Sequence, residues 1–226
     1  MPDRDSDTGS DRSRAAVRRT YEDIGAHFSK TREYAWPEVE SFVDESPSCT
    51  TALDLGCGNG RHAELLTDVA DRVVGLDASR ALLTAATERV GDEVALVQGD
   101  AVELPLADDC IDLAVYVATL HHLPSRDARR ASLDELARVL APGGRALVSA
   151  WSTAHDRFDA EADAESGFDT TVDWTLPRGE TVPRFYHVYA PSEFERDVAD
   201  SDLRLVSVEL SSGNCYGVVE PEGKRT

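Results

Sequence analysis

Leu53-Asp54-Leu55-Gly56-Cys57-Gly58-Asn59-Gly60 decides how the rest of the chain is read: an apolar run carries a carboxylate near its end, and glycine then takes every second position. Thr51 to Leu55 has the composition of a buried parallel strand, and Arg61-His62-Ala63-Glu64-Leu65-Leu66 carries apolar residues at helical spacing. The glycines therefore fall at a strand-to-helix turn, where a missing Cβ allows positive φ and close approach of a ligand to the main chain. The dinucleotide pattern G-x-G-x-x-G would need its third glycine at position 61, which is Arg61. A tight turn that holds no ligand is the alternative.

Two further strands repeat the design. Val73-Val74-Gly75-Leu76-Asp77 is apolar and ends in an acid about twenty residues past the first glycine, where a carboxylate can hold both hydroxyls of a ribose. Val94 to Val97 runs into Gln98-Gly99-Asp100-Ala101. A fourth strand, Ile111 to Val117, follows Asp109 and Cys110, and a fifth, Arg145 to Ala150, follows the Pro142-Gly143-Gly144 turn. Helices are expected over Ser79 to Val90 and Ser125 to Leu140. An isolated acid at a strand end is commonly a helix cap or a solvated side chain, but three at successive carboxyl ends point to a ligand.

The chain has 226 residues with 41% hydrophobic content, enough for one α/β core with appendages. No apolar stretch is long enough to span a bilayer and the N-terminus lacks a signal peptide's apolar core, which sets the expectation of a cytoplasmic protein without membrane contact. Cys49, Cys57, Cys110 and Cys215 show no C-x-x-C pairing, which argues against a zinc site or disulfide framework in this chain. The formal net charge is -20, and Lys30 and Lys224 are the only lysines. This resembles proteins of salt-accumulating halophiles, since at molar salt the Debye length falls to roughly 3 Å and acidic self-repulsion costs little; an ordinary acidic enzyme is the alternative. Nucleic-acid binding, if present, must rest on local arginines, stacking and shape, not on a broad basic face.

Residues 1–13 are polar without apolar period and read as a disordered tail, leaving 14–226 as a single domain. Residues 14–45 are expected to form two short helices, and 156–180 an acidic, irregular insertion or lid. Regular structure resumes at Phe185 to Tyr189, followed by a helix from Pro191 to Asp200 and two closing strands, Leu203 to Leu210 and Cys215 to Val219.

The glycine loop with Asp54 ahead of it resembles that of the class I S-adenosylmethionine-dependent methyltransferases. The resemblance implies a Rossmann-like α/β fold, a mostly parallel seven-stranded sheet with helices on both faces, and S-adenosylmethionine as cofactor. It implies cofactor contacts from Asp54, Gly56, Cys57, Gly58, Asn59, Gly60, Asp77, Ala78, Asp100, Ala101 and Val117, with Asp77 on the ribose and Asp100 beside the adenine amino group.

Segments outside that loop are more specific. Tyr21-Glu22-Asp23-Ile24-Gly25-Ala26-His27-Phe28-Ser29-Lys30-Thr31-Arg32 with Trp36-Pro37, then His121-His122-Leu123, Arg184-Phe185-Tyr186-His187-Val188-Tyr189 and Gly213-Asn214-Cys215-Tyr216, together resemble the family that methylates the carboxymethyl group on the tRNA wobble uridine. The resemblance covers residues 17–219 apart from the acidic insertion; Leu123 stands where the family tends to carry Trp. It implies a tRNA anticodon loop as substrate, with Arg32, His122, Arg184 and His187 acting at the acceptor carboxylate. It implies substrate contacts from Trp36, His121, Trp151, Tyr186 and Asn214, and closure over the cofactor by Tyr21, His27 and Lys30. It also implies a heterodimer with a small zinc-binding activator subunit on the edge strand Glu93-Val94-Ala95-Leu96-Val97. The glycine loop alone also suits a methyltransferase of a small quinone or lipid precursor, or a non-catalytic cofactor-binding subunit, and those readings stay open at this stage.

Overall fold

The computed structural model describes residues 13–158 and 164–223; the expected tail, apart from Ser13, and part of the acidic segment lie outside the described residues. In chain order the elements are α1 (Arg14–Ser29), α2 (Pro37–Asp44), β1 (Cys49–Leu55), α3 (Arg61–Leu66), β2 (Ala70–Asp77), α4 (Arg80–Val90), β3 (Val94–Gln98), β4 (Ile111–Tyr116), α5 (Arg126–Val139), β5 (Leu140–Trp151), β6 (Phe168–Thr175), β7 (Thr181–Val188), α6 (Pro191–Ala199), β8 (Leu203–Ser211) and β9 (Asn214–Pro221). Local chemistry sets the helix starts. The Ser13, Ser79 and Ser125 hydroxyls accept from the Ala16, Leu82 and Ala128 amides, and Pro37 and Pro191 occupy first-turn positions where no amide proton is needed.

Seven strands form one sheet in the order β3-β2-β1-β4-β5-β9-β8. The first five are parallel, β9 runs antiparallel to β5, and β8 antiparallel to β9. This is the Rossmann-like sheet expected, and β1 and β4 flank the point where the strand order reverses. Alternate residues fill two cores. Leu53, Leu55, Ala114 and Tyr116 pack with Leu133 and Leu136 of α5 and Phe194 and Val198 of α6. Ala52, Leu113 and Val115 pack with Val39 and Phe42 of α2 and Ala63 and Leu66 of α3. Each of these large side chains contributes about 1.5–3 kcal/mol by leaving water. Among the described residues no helix is long and apolar enough to cross a membrane.

The two helices expected over 14–45 are α1 and α2, and two other sequence expectations need correction. The first of those helices spans 16 residues. It docks on α4 through the Glu22 carboxylate, which accepts from the Arg80 and Ala81 amides at 2.7 and 2.9 Å, and through Gly25, where a Cβ would lie 3.0 Å from that of Ala81. The fifth strand begins at Leu140, with Pro142-Gly143-Gly144 inside a register irregularity instead of a turn before it. Within the acidic segment read as irregular, Phe168–Thr175 is the strand β6, paired in antiparallel register with all of β7. Its apolar residues Phe168, Val172 and Trp174 share one face at period two, a pattern hidden by the intervening acids.

Asp54 closes β1 on the side away from the turn's opening. Its carboxyl is 1% exposed, accepts from the Ala63 amide and leaves Oδ2 without a partner. Burial, with Asp77 nearby, outweighs that amide and the Arg61 charge and raises its pKa from 3.8 to about 7. A carboxyl whose folded pKa is raised contributes its stability below the unfolded value of 3.8 and loses it as pH rises through about 7. Asp54→Asn, neutral at every pH, should therefore gain on the wild type by up to about 4 kcal/mol between pH 4 and pH 8. Denaturation midpoints at the two pH values check this; a difference independent of pH would refute it.

Candidate functional site

A cavity of about 810 Å³ opens at the C-terminal ends of β1, β2 and β4. The glycine turn forms its floor. The Gly56 and Cys57 amides both donate to Leu76 O, at 2.7 and 3.0 Å, which pins the turn to the end of β2. Gly56 has φ 76°, and a Cβ there would lie 2.1 Å from Thr119 Oγ1 on the loop after β4. Gly58 has φ 54° and no protein atom within 4 Å of where its Cβ would be, so its missing side chain leaves room over the main chain. Its amide donates to Asp77 Oδ2 at 2.9 Å, and the Ser79 amide donates to Asp77 Oδ1 at 2.8 Å. Burial raises the Asp77 pKa to about 6 against these amides and that of Ala78. Asp77 is thus held in one orientation at the cavity wall by main-chain donors.

Of the residues expected at the cofactor, Gly56, Cys57, Gly58, Asn59, Asp77, Ala78, Asp100, Ala101 and Val117 line this cavity. Asp54 and Gly60 do not: the Asp54 carboxyl accepts from the Ala63 amide of α3, and Gly60 precedes α3 where a Cβ would lie 3.1 Å from Val90 and 3.3 Å from Ala86 of α4. The Asn59 amide group is turned toward α1, donating to Ser29 O at 3.1 Å and Arg32 O at 2.8 Å, so it ties the glycine turn to the segment bearing Arg32. Asp100 pairs with Arg14 of α1, while its Oδ1 accepts from the Val102 amide. Arg14, Arg18 and Ser13 therefore also line the cavity, which the sequence reading did not anticipate.

The other end of the cavity is aromatic and cationic. Arg32, His122, Arg184, Trp36, His121, Trp151 and Tyr186 all line it. Arg184 is 6% exposed, its guanidinium lies 5.0 Å from the Trp174 ring and 5.2 Å from that of Tyr186, and its Nε has no partner. The Arg32 guanidinium lies 4.7 Å from the Phe28 ring, and burial, then the Arg184 charge, lowers its pKa against the pull of Tyr186 and Tyr21. Among the described residues neither arginine forms a salt bridge with a carboxylate. A buried guanidinium left without an anion is costly, and one beside a second cation more so. Arg184 is such a buried cation, while Arg32 is half-exposed and its Nη1 donates to Thr31 O at 3.3 Å and Thr31 Oγ1 at 3.2 Å.

Both histidines are neutral with defined tautomers. Phe185 O can only accept, so His122 Nδ1 carries the proton of that 2.9 Å contact; its Nε2 then accepts from the Tyr21 hydroxyl at 2.8 Å. Tyr21 in turn hydrogen-bonds Arg184 and Tyr186. His121 Nδ1 accepts from the Trp151 amide at 3.0 Å. Burial lowers the His122 pKa to about 3 and carries His121 down too. His122 thus braces Tyr21 and, through it, Arg184, with both of its nitrogens in use.

His187 lies outside the cavity. It shares β7 with Arg184 and Tyr186, but strand alternation turns it to the opposite face, where Nδ1 meets Asp169 at 2.8 Å and Nε2 meets Glu193 at 3.1 Å. It anchors the β6–β7 hairpin to α6. Asn214 is likewise outside, paired in register with Trp151 and donating to Ser212 O. Trp151 and Tyr186 stack on one another with centroids 4.4 Å apart, so each has one face taken. Trp36 lies edge-on to His62 and Tyr216 with Arg61 over its ring. His27 faces Trp174 and not the cofactor end.

The glycine turn, the open space over Gly58 and two carboxylates at the walls suit the amino-acid, ribose and adenine portions of S-adenosylmethionine. Comparison with known proteins agrees. The family model described as a methyltransferase domain matches residues 53–148. A tRNA (carboxymethyluridine(34)-5-O)-methyltransferase of Arabidopsis thaliana is 37% identical over 140 residues, 62% of this chain and 33% of that protein. The chain spans a fifth to a third of the length of this and the first matching vertebrate relatives. A putative methyltransferase of Encephalitozoon cuniculi is 32% identical over 207 residues, covering 90% of this chain and 94% of the other. Two solved structures share the fold: the DhpI complex with SAH, with TM-score 0.69, 21% identity and 95% and 97% of the chains covered, and the putative methyltransferase in complex with the Haloferax volcanii Trm112 activator, with TM-score 0.66, 16% identity and 90% and 98% covered. With a relative aligned along nearly its whole length and a cavity floor built to suit the cofactor, the chain belongs to the class I methyltransferases, whose methyl donor is S-adenosylmethionine.

Proposed function

We propose that this methyltransferase esterifies the carboxymethyl group of 5-carboxymethyluridine at the wobble position of tRNA. The observation that carries this reading is the convergence of Arg184 and Arg32 on the cavity with no carboxylate paired to either among the described residues. Aligned relatives named for the same reaction support it. A site for an apolar quinone or lipid precursor has no use for a buried guanidinium with a second, half-buried one beside it.

The chemistry matches the residue types. S-adenosylmethionine, when bound, supplies an electrophilic sulfonium methyl whose transfer leaves the electron pair on sulfur. A carboxylate with an ordinary pKa of about 4 is already ionised at neutral pH, so no side chain need remove a proton. That agrees with His121 and His122 being neutral and His122 having both nitrogens occupied. Arg184 and Arg32 orient the carboxylate oxygens bidentately, a task the planar guanidinium performs better than lysine. The aromatic wall of Trp151, Tyr186 and His121 keeps water from the reacting end. Holding the two reactants in register supplies up to roughly 7–11 kcal/mol of barrier lowering. Asp77 would hold the ribose hydroxyls and Asp100 the adenine amino group once Arg14 yields it; Gly56, Gly58, Ala78, Ala101 and Val117 would shape the floor.

The anticodon loop must reach this site on a protein of formal net charge -20, so its grip rests on local arginines and aromatic stacking. The acidic surface with arginine in place of lysine fits a protein working at high salt, where phosphate attraction is screened anyway. β3 lies at the edge of the sheet, with Val94 buried and Leu96 and Val97 half-buried. It offers unpaired backbone groups to an added strand, and a small zinc-binding activator is the partner proposed there.

Replacing Arg184 with Ala should leave S-adenosylmethionine binding intact and lower kcat/KM on carboxymethyluridine tRNA by about 100-fold, the size of a lost charge-assisted contact. Radiolabelled methyl transfer to purified hypomodified tRNA measures it, and normal turnover would overturn the acceptor site. For the cofactor, affinity should fall in the wild type as pH drops below about 6, where Asp77 takes up a proton, and calorimetry should find Asp77→Asn weak and flat across that range. A wild-type affinity independent of pH, with Asp77→Asn binding equally well, would reject Asp77 as the ribose ligand. For the partner, co-expression with the activator should give a one-to-one complex in which the Val94 and Leu96 amides gain protection from hydrogen exchange. Full solubility and activity without it, and unchanged exchange with it, would rule out that surface.

A further inference from the structure

Arg184 and Arg32 come from separate elements, β7 and the segment after α1, and carry the same charge. Their shared position must therefore be imposed by whatever joins the β6–β7 hairpin to α1. Tyr21 of α1 reaches Arg184 alone by its hydrogen bond, whereas Trp174, on β6, meets both arginines. Its ring lies 5.0 Å from the Arg184 guanidinium and 5.9 Å from that of Arg32, and packs 5.2 Å from the ring of Phe28 on α1. Its indole Nε1–H donates to His27 Nδ1 at 3.1 Å, also on α1, which fixes the rotation of the ring. Trp174 and Arg184 lie on the same face of the hairpin, since the registers Val172↔Arg184 and Trp174↔Val182 place them there. The residue itself does not line the cavity.

We propose that Trp174 is a positioning residue for the methyl acceptor: its indole, tethered to His27, holds the Arg32 and Arg184 guanidiniums together so that a carboxylate can engage both. Indole has the strongest ring quadrupole among the aromatic side chains and attracts cations at these distances. It can therefore offset part of the repulsion between the two arginines without neutralising them as a carboxylate would. An acidic residue at 174 would fill the anion site; an aliphatic one would leave the two cations to part. The inference rests on the acceptor reading above.

The test compares Trp174→Leu, Trp174→Phe and His27→Ala with the wild type in the full chain, co-expressed with the activator, on hypomodified tRNA. Trp174→Leu should raise KM for tRNA and lower kcat/KM about tenfold, equivalent to about 1.4 kcal/mol, with S-adenosylmethionine affinity and melting midpoint unchanged. Trp174→Phe, which keeps a π face, should recover most of the loss, and His27→Ala should fall between. In an Arg184→Ala background, Trp174→Leu should cost markedly less than in the wild type, because part of what it positions is gone. If Trp174→Leu does not fold, the Phe and His27 variants carry the comparison. An active wild type with Trp174→Leu equal to it, or with losses of activity and cofactor affinity in parallel and no rescue by Phe, overturns this inference alone. A wild type that methylates no carboxymethyluridine tRNA overturns the acceptor reading and this inference with it.

Discussion

β1 and β4 lie side by side while the chain leaves them in opposite directions, β1 toward β2 and β3, β4 toward β5. No connection covers the ends of these two strands, and a cleft must open there. The contact across it is close: the main chain at Gly56, at the end of β1, sits so near Thr119, after β4, that no Cβ fits between them. Ala118 turns the chain at the end of β4 with φ 53°, a left-handed conformation unusual for alanine, and sends His121 and His122 to the cavity wall. Floor and wall are thus fixed by one constraint of topology and one of steric fit.

The two ends of the cavity use opposite electrostatics. At the cofactor end, acids at the ends of β2 and β3 are presented in a setting that burial makes costly for Asp77 and backbone amides make tolerable. At the other end, two arginines stand among rings and neutral histidines, and among the described residues neither forms a salt bridge with a carboxylate. Asn59 links the two, since its side-chain amide spans from the glycine turn to the carbonyl of Arg32. Through this bridge the placement of the turn and the placement of the arginine are mechanically one matter.

Much of this was legible in the sequence because strand ends and glycines have strong local signatures. The acids Asp77 and Asp100 follow short apolar runs, and the glycine spacing admits few alternatives. Asp54 was not separable from them by sequence, because an acid near the end of a strand faces either the cleft or the helix behind it. The order of side chains in Arg184-Phe185-Tyr186-His187 did contain the answer for β7: period two puts Arg184 and Tyr186 on one face and His187 on the other, so all three cannot share a site. β6 was lost because its acidic residues between Phe168, Val172 and Trp174 gave the composition of a loop while the alternation was that of a strand. Tertiary contacts such as Trp174 with His27, 147 positions apart, leave no local trace.

The most direct measurement is mass spectrometry of nucleosides from bulk tRNA of a strain lacking this protein. If the carboxylate held by Arg184 and Arg32 is the methyl acceptor, the methyl ester of wobble 5-carboxymethyluridine disappears and the free acid, or a nucleoside derived from it, accumulates, with both restored by the wild-type chain and not by Arg184→Ala. An unchanged level of the methyl ester in the deletion strain would contradict it.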